Sequence, residues 1–220
     1  MSSPLKIAIL ISGRGSNMTA LAQAAKQRDD IDILLVAANK PAEGLEYAAT
    51  AGLNTALVQR TDYDSKSAHE AAMLAEIRQS GADWVFLAGY MALLSADFID
   101  ALSGRIVNIH PSLLPAHKGL NTHQRALDAG DSQHGLSVHL VTPGMDEGPL
   151  VLQLGLAVQD GDTADSLAKR VLALEHLAYP AVMLALATGA LEICSDRPVW
   201  HQPPVLTLPQ DAFMRLGVDL

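Results

Sequence analysis

Hydrophobic and polar residues follow two alternating patterns in the first half of the chain. Short apolar runs are typical of buried strands, and the stretches between them have helical spacing. The predicted strands are Leu5–Ser12, Ile31–Ala38, Thr55–Val58, Trp84–Ala88 and Arg105–Ile109. The predicted helices are Asn17–Gln27, Glu43–Thr50, Ser65–Gln79 and Ser95–Leu102. Buried strands that alternate with helices indicate a parallel sheet.

The pattern changes in the second half of the chain. His134–Thr142 and Leu150–Val158 resemble two strands joined by a Pro/Gly turn, which predicts an antiparallel pair at the sheet edge. A long helix is predicted over Thr163–Ala187, with a bend or break at Pro180. Its core-facing stripe comprises Leu167, Val171, Leu174, Ala178 and Ala181.

These elements predict an α/β fold. We expect a Rossmann-like open, mostly parallel sheet with helices on both faces and an antiparallel edge. A length of 220 residues fits a single domain, with a core at about 5–200 and a weakly patterned tail at 201–220. Val199–Trp200 is the candidate for a last edge strand.

Composition narrows the class of protein. The chain is 49% hydrophobic and 18% charged with a formal charge of −9, which fits a soluble protein and disfavours nucleic acid as a partner. The single cysteine, Cys194, favours a reducing compartment. The first apolar run is too short for a signal peptide, and continuous apolar runs fall short of the ~18 residues of a membrane span. We therefore expect a cytoplasmic protein without a membrane partner.

The turn after the first strand, Ser12–Asn17, is the first candidate for chemistry. Gly13 and Gly15 permit a tight turn, Ser16 suits the N-cap, and a helix N-terminus attracts phosphate. Met18 occupies the third glycine position of a dinucleotide fingerprint, so a smaller phosphate ligand fits better. The alternative is a purely structural turn.

Asn108 and His110 are the second candidate. Two residues apart on a strand, they share a face, and Pro111 should end that strand. Ligands of open α/β sheets bind beyond the carboxyl ends of the strands, so this pair and the Ser12–Asn17 turn are expected to share a cleft. A structural histidine is the alternative.

The third candidate is the turn Thr142–Pro149, which carries Asp146 and Glu147. It is either an ordinary solvated turn or a segment that folds back over the cleft. In the second case, a carboxylate beside His110 would raise the pKa of the imidazole above about 6.5. Five of the eight histidines lie in residues 110–139, but without metal-ligand spacing, so we predict no metal.

Six segments of the chain, in this order over about residues 6–200, resemble those of phosphoribosylglycinamide formyltransferase. The segments are ISGRGSN (11–17), LAGYMALLS (87–95), VNIHPSLLPAHKGLNTH (107–123), HGLSVHLVT (134–142), MDEGPLVLQ (145–153) and LEHLAYP (174–180). The Asn-x-His…Asp set alone is similar across the formyltransferase fold, including methionyl-tRNA formyltransferase and formyltetrahydrofolate deformylase. The SGRGSN loop points to the ribonucleotide enzyme.

The resemblance implies transfer of a formyl group from 10-formyltetrahydrofolate, as co-substrate, to the amine of glycinamide ribonucleotide in purine (IMP) biosynthesis. The implied catalytic residues are Asn108, His110 and Asp146. The implied ribonucleotide-binding residues are Gly15, Ser16, Asn17 and Glu175. The implied folate-binding residues are Lys66, Met91, Ala92, Leu93, Leu94, Asn108, Thr142 and Asp146, and Ser137 and His139 are supporting residues.

Three positions depart from the family pattern. Ala92 stands where family members often have a larger or polar residue, and Pro143 where they often have an acidic one. Lys66 stands where an arginine of the family can meet the folate tail. Lysine keeps the charge but lacks the bidentate fork. The alternative functions are a formyltetrahydrofolate deformylase and a non-catalytic nucleotide- or folate-binding protein, and the sequence leaves a homodimer open.

Overall fold

Strands and helices alternate through the first half of the chain. The computed structural model describes residues 3–102 and 104–217, and its contacts fall into two compact units, 1–108 and 109–220. The strands of the first half are β1 (Leu5–Ile11), β2 (Ile31–Ala38), β3 (Thr55–Leu57), β4 (Trp84–Leu87) and β5 (Ile106–His110). The helices are α1 (Ser16–Ala25), α2 (Glu43–Thr50), α3 (Lys66–Ser80) and α4 (Ala96–Ala101), with a 3-10 turn at Arg60–Asp62.

All the paired strands of the first unit are parallel, in the order β5-β4-β1-β2-β3. Residues Ile7–Ile11 of β1 have no exposed surface, and β2 and β4 pair with its two edges. Continuous apolar sequence is typical of such interior parallel strands. The predicted parallel sheet is therefore confirmed.

The second unit is built on antiparallel strands. It contains α5 (Thr122–Asp128), β6 (Gln133–Leu140), β7 (Leu150–Ala157), α6 (Ala164–Thr188), β8 (Leu191–Cys194), β9 (Arg197–Trp200) and β10 (Ala212–Leu216). β6 and β7 form the predicted antiparallel pair, and β10 adds a third antiparallel strand beside β7. The predicted antiparallel edge is confirmed, and it is one strand wider than expected.

Helix α6 continues without a break through Pro180. Of the predicted bend or break, the break is therefore wrong. Ala178 and Val182, two residues before and after the proline, are completely buried, and such packing can offset the lost backbone hydrogen bond. The helix begins with a capping box between Thr163 and Ser166. The five residues of the predicted stripe are all buried.

Within residues 3–102 and 104–217, α6 is the one helix whose length and apolar composition would suffice to cross a membrane. The sequence expectation considered continuous apolar runs only and did not foresee this. The helix packs against β6 and β7 through its buried stripe, as the core helix of a globular unit does. The length and the high hydropathy of α6 therefore reflect its burial within the second unit.

The tail is weakly patterned in sequence, yet Ala212–Leu216 within it forms β10. Phe213 explains its position: a Cβ atom on Gly155 of β7 would lie 2.3 Å from the Phe213 ring, so the glycine makes room for the aromatic side chain. The Arg215 guanidinium lies 4.7 Å from the Phe213 ring centroid. The candidate edge strand at Val199–Trp200 instead belongs to a separate hairpin of β8 and β9. Tail residues 218–220 lie outside the described residues.

Candidate active site

Backbone geometry shapes the Ser12–Asn17 loop in the first unit. Gly15 has a φ of 75° and is the N-cap of α1, so the predicted N-cap, Ser16, is instead the first residue of the helix. A left-handed N-cap suits glycine, which has no Cβ to clash. The Gly13 carbonyl accepts a hydrogen bond from the Gly44 N–H at 3.1 Å. A Cβ on Gly44 would lie 2.6 Å from Ile11, so α2 begins in close contact with this loop.

Ser12 connects the loop to the segment after β4. Its hydroxyl donates to Asn39 Oδ1 at 2.7 Å and accepts from the Met91 N–H at 2.8 Å. Asn17 is buried, whereas Ser16 is exposed beside the first amide groups of α1. An exposed, rigid helix N-terminus can receive a phosphate group.

The folate candidates of the first unit lie mostly at the surface. Met91, Ala92 and Leu93 are exposed and Leu94 is half-buried, so these residues are not part of the core. Exposed apolar side chains that follow a strand offer a surface to a flat apolar ligand.

Lys66 belongs to a small electrostatic cluster in the first unit. Its Nζ lies 3.6 Å from Glu70 Oε1, and the same carboxylate oxygen accepts the Ser95 N–H at 3.0 Å. Glu70 is buried, and Lys66 is exposed. Burial, together with the Glu70 charge, raises the pKa of the Tyr90 hydroxyl to about 12. Glu70 thus connects the candidate folate-tail cation to the loop before α4.

His110 and Asp146 meet in the second unit. Nδ1 of His110 lies 3.6 Å from Asp146 Oδ2, and both side chains are largely buried. The Gly119 N–H donates to the same carboxylate oxygen at 2.8 Å, and Asp146 itself has a left-handed φ of 52°. The turn between β6 and β7 therefore folds back onto His110, so the interpretation of this segment as an ordinary solvated turn is wrong.

The hydrogen bonds of His110 define its tautomer. Its other nitrogen, Nε2, lies 3.1 Å from the His117 carbonyl oxygen. Because a carbonyl can only accept, Nε2 carries a hydrogen. In the neutral ring Nδ1 is then a bare acceptor facing the Asp146 carboxylate, and a proton on Nδ1 would convert this contact into a charge-assisted hydrogen bond.

The two supporting residues on β6 have different surroundings. Ser137 donates to the Ser112 carbonyl at 2.7 Å and accepts from the Leu114 N–H and from Gln153 Nε2, so it holds the loop after β5. His139 donates from Nδ1 to the Leu140 carbonyl, and its Nε2 lies 3.8 Å from Asp146 Oδ1. Burial lowers the pKa of His139.

The remaining candidates lie on separate elements. Asn108 and His110 are both on β5, which ends before Pro111 as predicted, and Asn108 is half-buried opposite Leu87 of β4. Thr142 is half-buried after β6. Glu175 is buried on α6 and is not a solvated helix glutamate.

His123 and His134 form a second histidine group in the same unit as His110. His123 Nδ1 and His134 Nε2 are 3.0 Å apart, so one ring donates to the other. Burial lowers the pKa of both, that of His134 to about 4, and the neighbouring His123 adds to the second shift. Among the described residues no group of three or more His, Cys, Asp or Glu is arranged to hold a metal ion.

Sequence reasoning missed four residues that hold these candidates. They are Glu70, His117, Gly119 and Gln153. Gly119 and His117 act through backbone groups, which every residue type carries. Glu70 and Gln153 are polar residues at buried positions of α3 and β7. A polar residue on the buried side of each element was the available signal for these two.

Comparison with known proteins places the chain in a family. The formyl transferase family profile matches residues 5–183. Phosphoribosylglycinamide formyltransferase of Escherichia coli (strain K12) is 42% identical over 191 residues, which are 86% of this chain and 90% of that protein. A trifunctional purine biosynthetic protein adenosine-3 of Drosophila pseudoobscura pseudoobscura is 36% identical over 201 residues, 89% of this chain but 15% of that longer protein.

The fold agrees with solved structures. The crystal structure of glycinamide ribonucleotide transformylase 1 from Symbiobacterium toebii superimposes with a TM-score of 0.86 at 38% identity, covering 91% of this chain and 95% of that one. The matches in sequence and in structure each span most of the chain. The chain therefore belongs to the formyl transferase family, in which it resembles the phosphoribosylglycinamide formyltransferases.

Proposed function

We propose that this protein transfers the formyl group of 10-formyltetrahydrofolate to the amine of glycinamide ribonucleotide, a step of purine biosynthesis. The observation that carries the proposal is the contact between His110 and Asp146 in a chain of the formyl transferase family. Both catalytic side chains are mostly removed from water, and charge–charge interactions are stronger there than at the surface. The names of the similar proteins support the donor and the acceptor.

The proposed reaction is a direct attack of the ribonucleotide amine on the formyl carbon. The nitrogen lone pair forms the new C–N bond while the carbonyl electron pair moves to oxygen. Asn108 donates its amide hydrogen to this oxygen, and protonated His110 donates to the same charge. When the oxygen pair returns, the bond to the folate nitrogen breaks, the amine loses one proton and the folate nitrogen gains one. No covalent bond to the protein forms.

Asp146 has the role of keeping the charge on His110. Its carboxylate faces Nδ1, while Nε2 carries the hydrogen that points to the His117 carbonyl. An incoming oxyanion can compete with that carbonyl for the Nε2 hydrogen, since both are acceptors. The ring then donates to the substrate without losing its contact with Asp146.

The binding residues follow the resemblance. Gly15, Ser16 and Asn17 bind the phosphate at the start of α1, and Glu175 binds the ribose hydroxyls. Exposed Met91 and Leu93, with Ala92, Leu94 and Thr142, contact the pterin, and Lys66 meets the folate tail. Ser137 and His139 support the catalytic residues. We also propose a single domain, a cytoplasmic location, no metal, and no nucleic acid or membrane partner.

A formyl-transfer assay tests the proposal. Purified protein is mixed with 10-formyltetrahydrofolate, and loss of the formyl group is followed with and without glycinamide ribonucleotide. We expect deformylation that depends on the ribonucleotide and yields one formylated amine for each folate released. Turnover at the same rate without the ribonucleotide would show that water is the acceptor and would contradict the proposal.

A further inference from the structure

The loop at residues 116–121 contains three residues in the left-handed conformation. They are His117 (φ 53°), Gly119 (φ 80°) and Asn121 (φ 57°). Glycine adopts this conformation readily and asparagine does so more often than most residues, but for histidine it is uncommon. Residue 117 therefore needs a stabilising contact from its surroundings.

The side chain of His117 supplies that contact. Its Nε2–H donates to Asp131 Oδ2 at 2.6 Å, and the imidazole is 14% exposed. Asp131 follows α5, and its own N–H donates to the Ala126 carbonyl at 3.0 Å, so the carboxylate is fixed to the end of the helix. The His134 ring lies edge-on to His117, with 6.2 Å between ring centroids.

The backbone of the same loop touches both members of the catalytic pair. The His117 carbonyl accepts the Nε2–H of His110 at 3.1 Å, and the Gly119 N–H donates to Asp146 at 2.8 Å. The first bond selects the tautomer in which Nδ1 of His110 faces the carboxylate. The second fixes the carboxylate oxygen that Nδ1 faces.

Charged and titratable side chains surround this arrangement. Asp146 faces His110, and Asp131 faces His117. Burial lowers the pKa of His123, His134 and His139, which lie nearby. Arg125 of α5 is a cation at this loop, and its guanidinium donates to the Lys118 and Leu120 carbonyl oxygens. Lys118, next to His117 along the chain, pairs with exposed Glu147.

We propose that His117 and Asp131 are positioning residues for formyl transfer. Their hydrogen-bonded pair holds residue 117 in its left-handed conformation, and the carbonyl of that residue keeps the hydrogen of neutral His110 on Nε2. The inference about the reaction rests on the proposed function, whereas the inference about the tautomer rests on geometry alone. Neither residue touches the substrate.

The test measures the tautomer of His110 directly. Long-range ¹H–¹⁵N spectra of the histidine rings are recorded for the wild type, Asp131→Ala, His117→Asn and a matched control, Asp128→Asn. Asp128 is an exposed carboxylate on α5 that accepts from Gln124 at 2.7 Å. Asparagine at 117 tolerates the left-handed backbone but is too short to replace the imidazole, so this variant separates the backbone conformation from the contact to Asp131.

The spectra are compared at a pH at which the His110 ring is neutral, since an imidazolium carries hydrogens on both nitrogens. In that form we expect the hydrogen on Nε2 in the wild type and in Asp128→Asn. In Asp131→Ala we expect a mixture of tautomers and a loss of kcat of about 10- to 100-fold, with KM for the ribonucleotide within about twofold, as misplacement of a catalytic group predicts. In His117→Asn, which tolerates the left-handed backbone, we expect a smaller change in both. An Nε2–H tautomer retained in Asp131→Ala would overturn the inference, whatever its kcat. A wild type that fails to formylate the ribonucleotide would overturn the proposed function alone.

Discussion

The Ser12–Asn17 loop and the His110–Asp146 pair represent two ways of building a polar site. The loop depends on backbone conformation, with Gly15 left-handed and Gly13 in contact with Gly44. The pair depends on ionisable side chains, which backbone groups of the 116–121 loop hold in place. A backbone site is sensitive to shape and insensitive to pH. A side-chain site is sensitive to charge, even when shape is preserved.

The largest expected effect is at the side-chain site. Asp146→Asn keeps the shape of the side chain but removes the carboxylate charge that faces Nδ1 of His110, and we expect kcat to fall about 10²- to 10³-fold. Steady-state kinetics and calorimetric binding of the ribonucleotide measure the change. The matched control is Glu147→Gln, next along the chain and exposed, which should change kcat by less than about twofold. Equal losses in kcat and in ribonucleotide affinity would contradict this role of Asp146.

The next effect tests the backbone site by shape. A Cβ on Gly15 would lie 3.0 Å from Met18 Cε and 3.1 Å from Gly44 Cα, at a positive φ. We expect Gly15→Ala to lower stability by about 1–3 kcal/mol and weaken ribonucleotide binding about tenfold. Gly13→Ala is the control, because a Cβ there meets nothing within 4 Å. Thermal unfolding measures the stability of the two variants, and calorimetry measures their affinity for the ribonucleotide. Equal stability and equal affinity in Gly15→Ala and Gly13→Ala would refute the shape argument.

A third prediction concerns pH. The pKa of His134 is lowered to about 4 from an ordinary 6.5. Between these values the unfolded chain binds the additional proton, so the stability contributed by neutral His134 is complete above pH 6.5 and is lost as pH falls toward 4. We expect the thermal unfolding midpoint of the wild type to fall as pH is lowered through this range, and the midpoint of His134→Gln to fall less. Exposed His201→Gln is the control, and an equal slope in all three proteins would disprove the contribution of His134.

The smallest expected effect is at Lys66. Its exposed ammonium pairs with Glu70 at 3.6 Å, and an exposed charge contributes about 0.2–1 kcal/mol to a contact. Lys66→Met should therefore raise KM for the folate co-substrate a few-fold and leave kcat unchanged. Lys26→Met, at an exposed lysine beyond the end of α1, is the matched control. No difference between the two variants would remove Lys66 from the folate-binding residues.

The sequence predicted elements well where burial fixes the pattern. Strand β2 was predicted with its observed bounds, and α2 likewise, because apolar continuity and helical periodicity dominate those segments. Strand β10 was missed, since Ala212–Leu216 is short and follows a Pro-rich stretch, and its stability comes from pairing with β7. Seven-residue α5 was missed for the same reason of length.

The candidate site was predictable in its residue types but not in its contacts. His110 and Asp146 were identified, yet the distance between them depends on a turn 36 residues along the chain that no local pattern describes. The contribution of His117 was hidden for another reason. Its carbonyl makes the contact to His110, and a carbonyl is common to all residues. Only the three-dimensional structure reveals such backbone partners.

Strand β10 has a consequence for handling the protein. It pairs along the full length of its residues with β7 and covers the gap at Gly155 with Phe213. A chain shortened before Ala212 would present β7 as an open, apolar strand edge, which is a template for pairing with a second molecule. We therefore expect β10 to protect the protein against aggregation. An affinity tag placed after β10 should be attached through a flexible spacer that leaves the strand paired with β7.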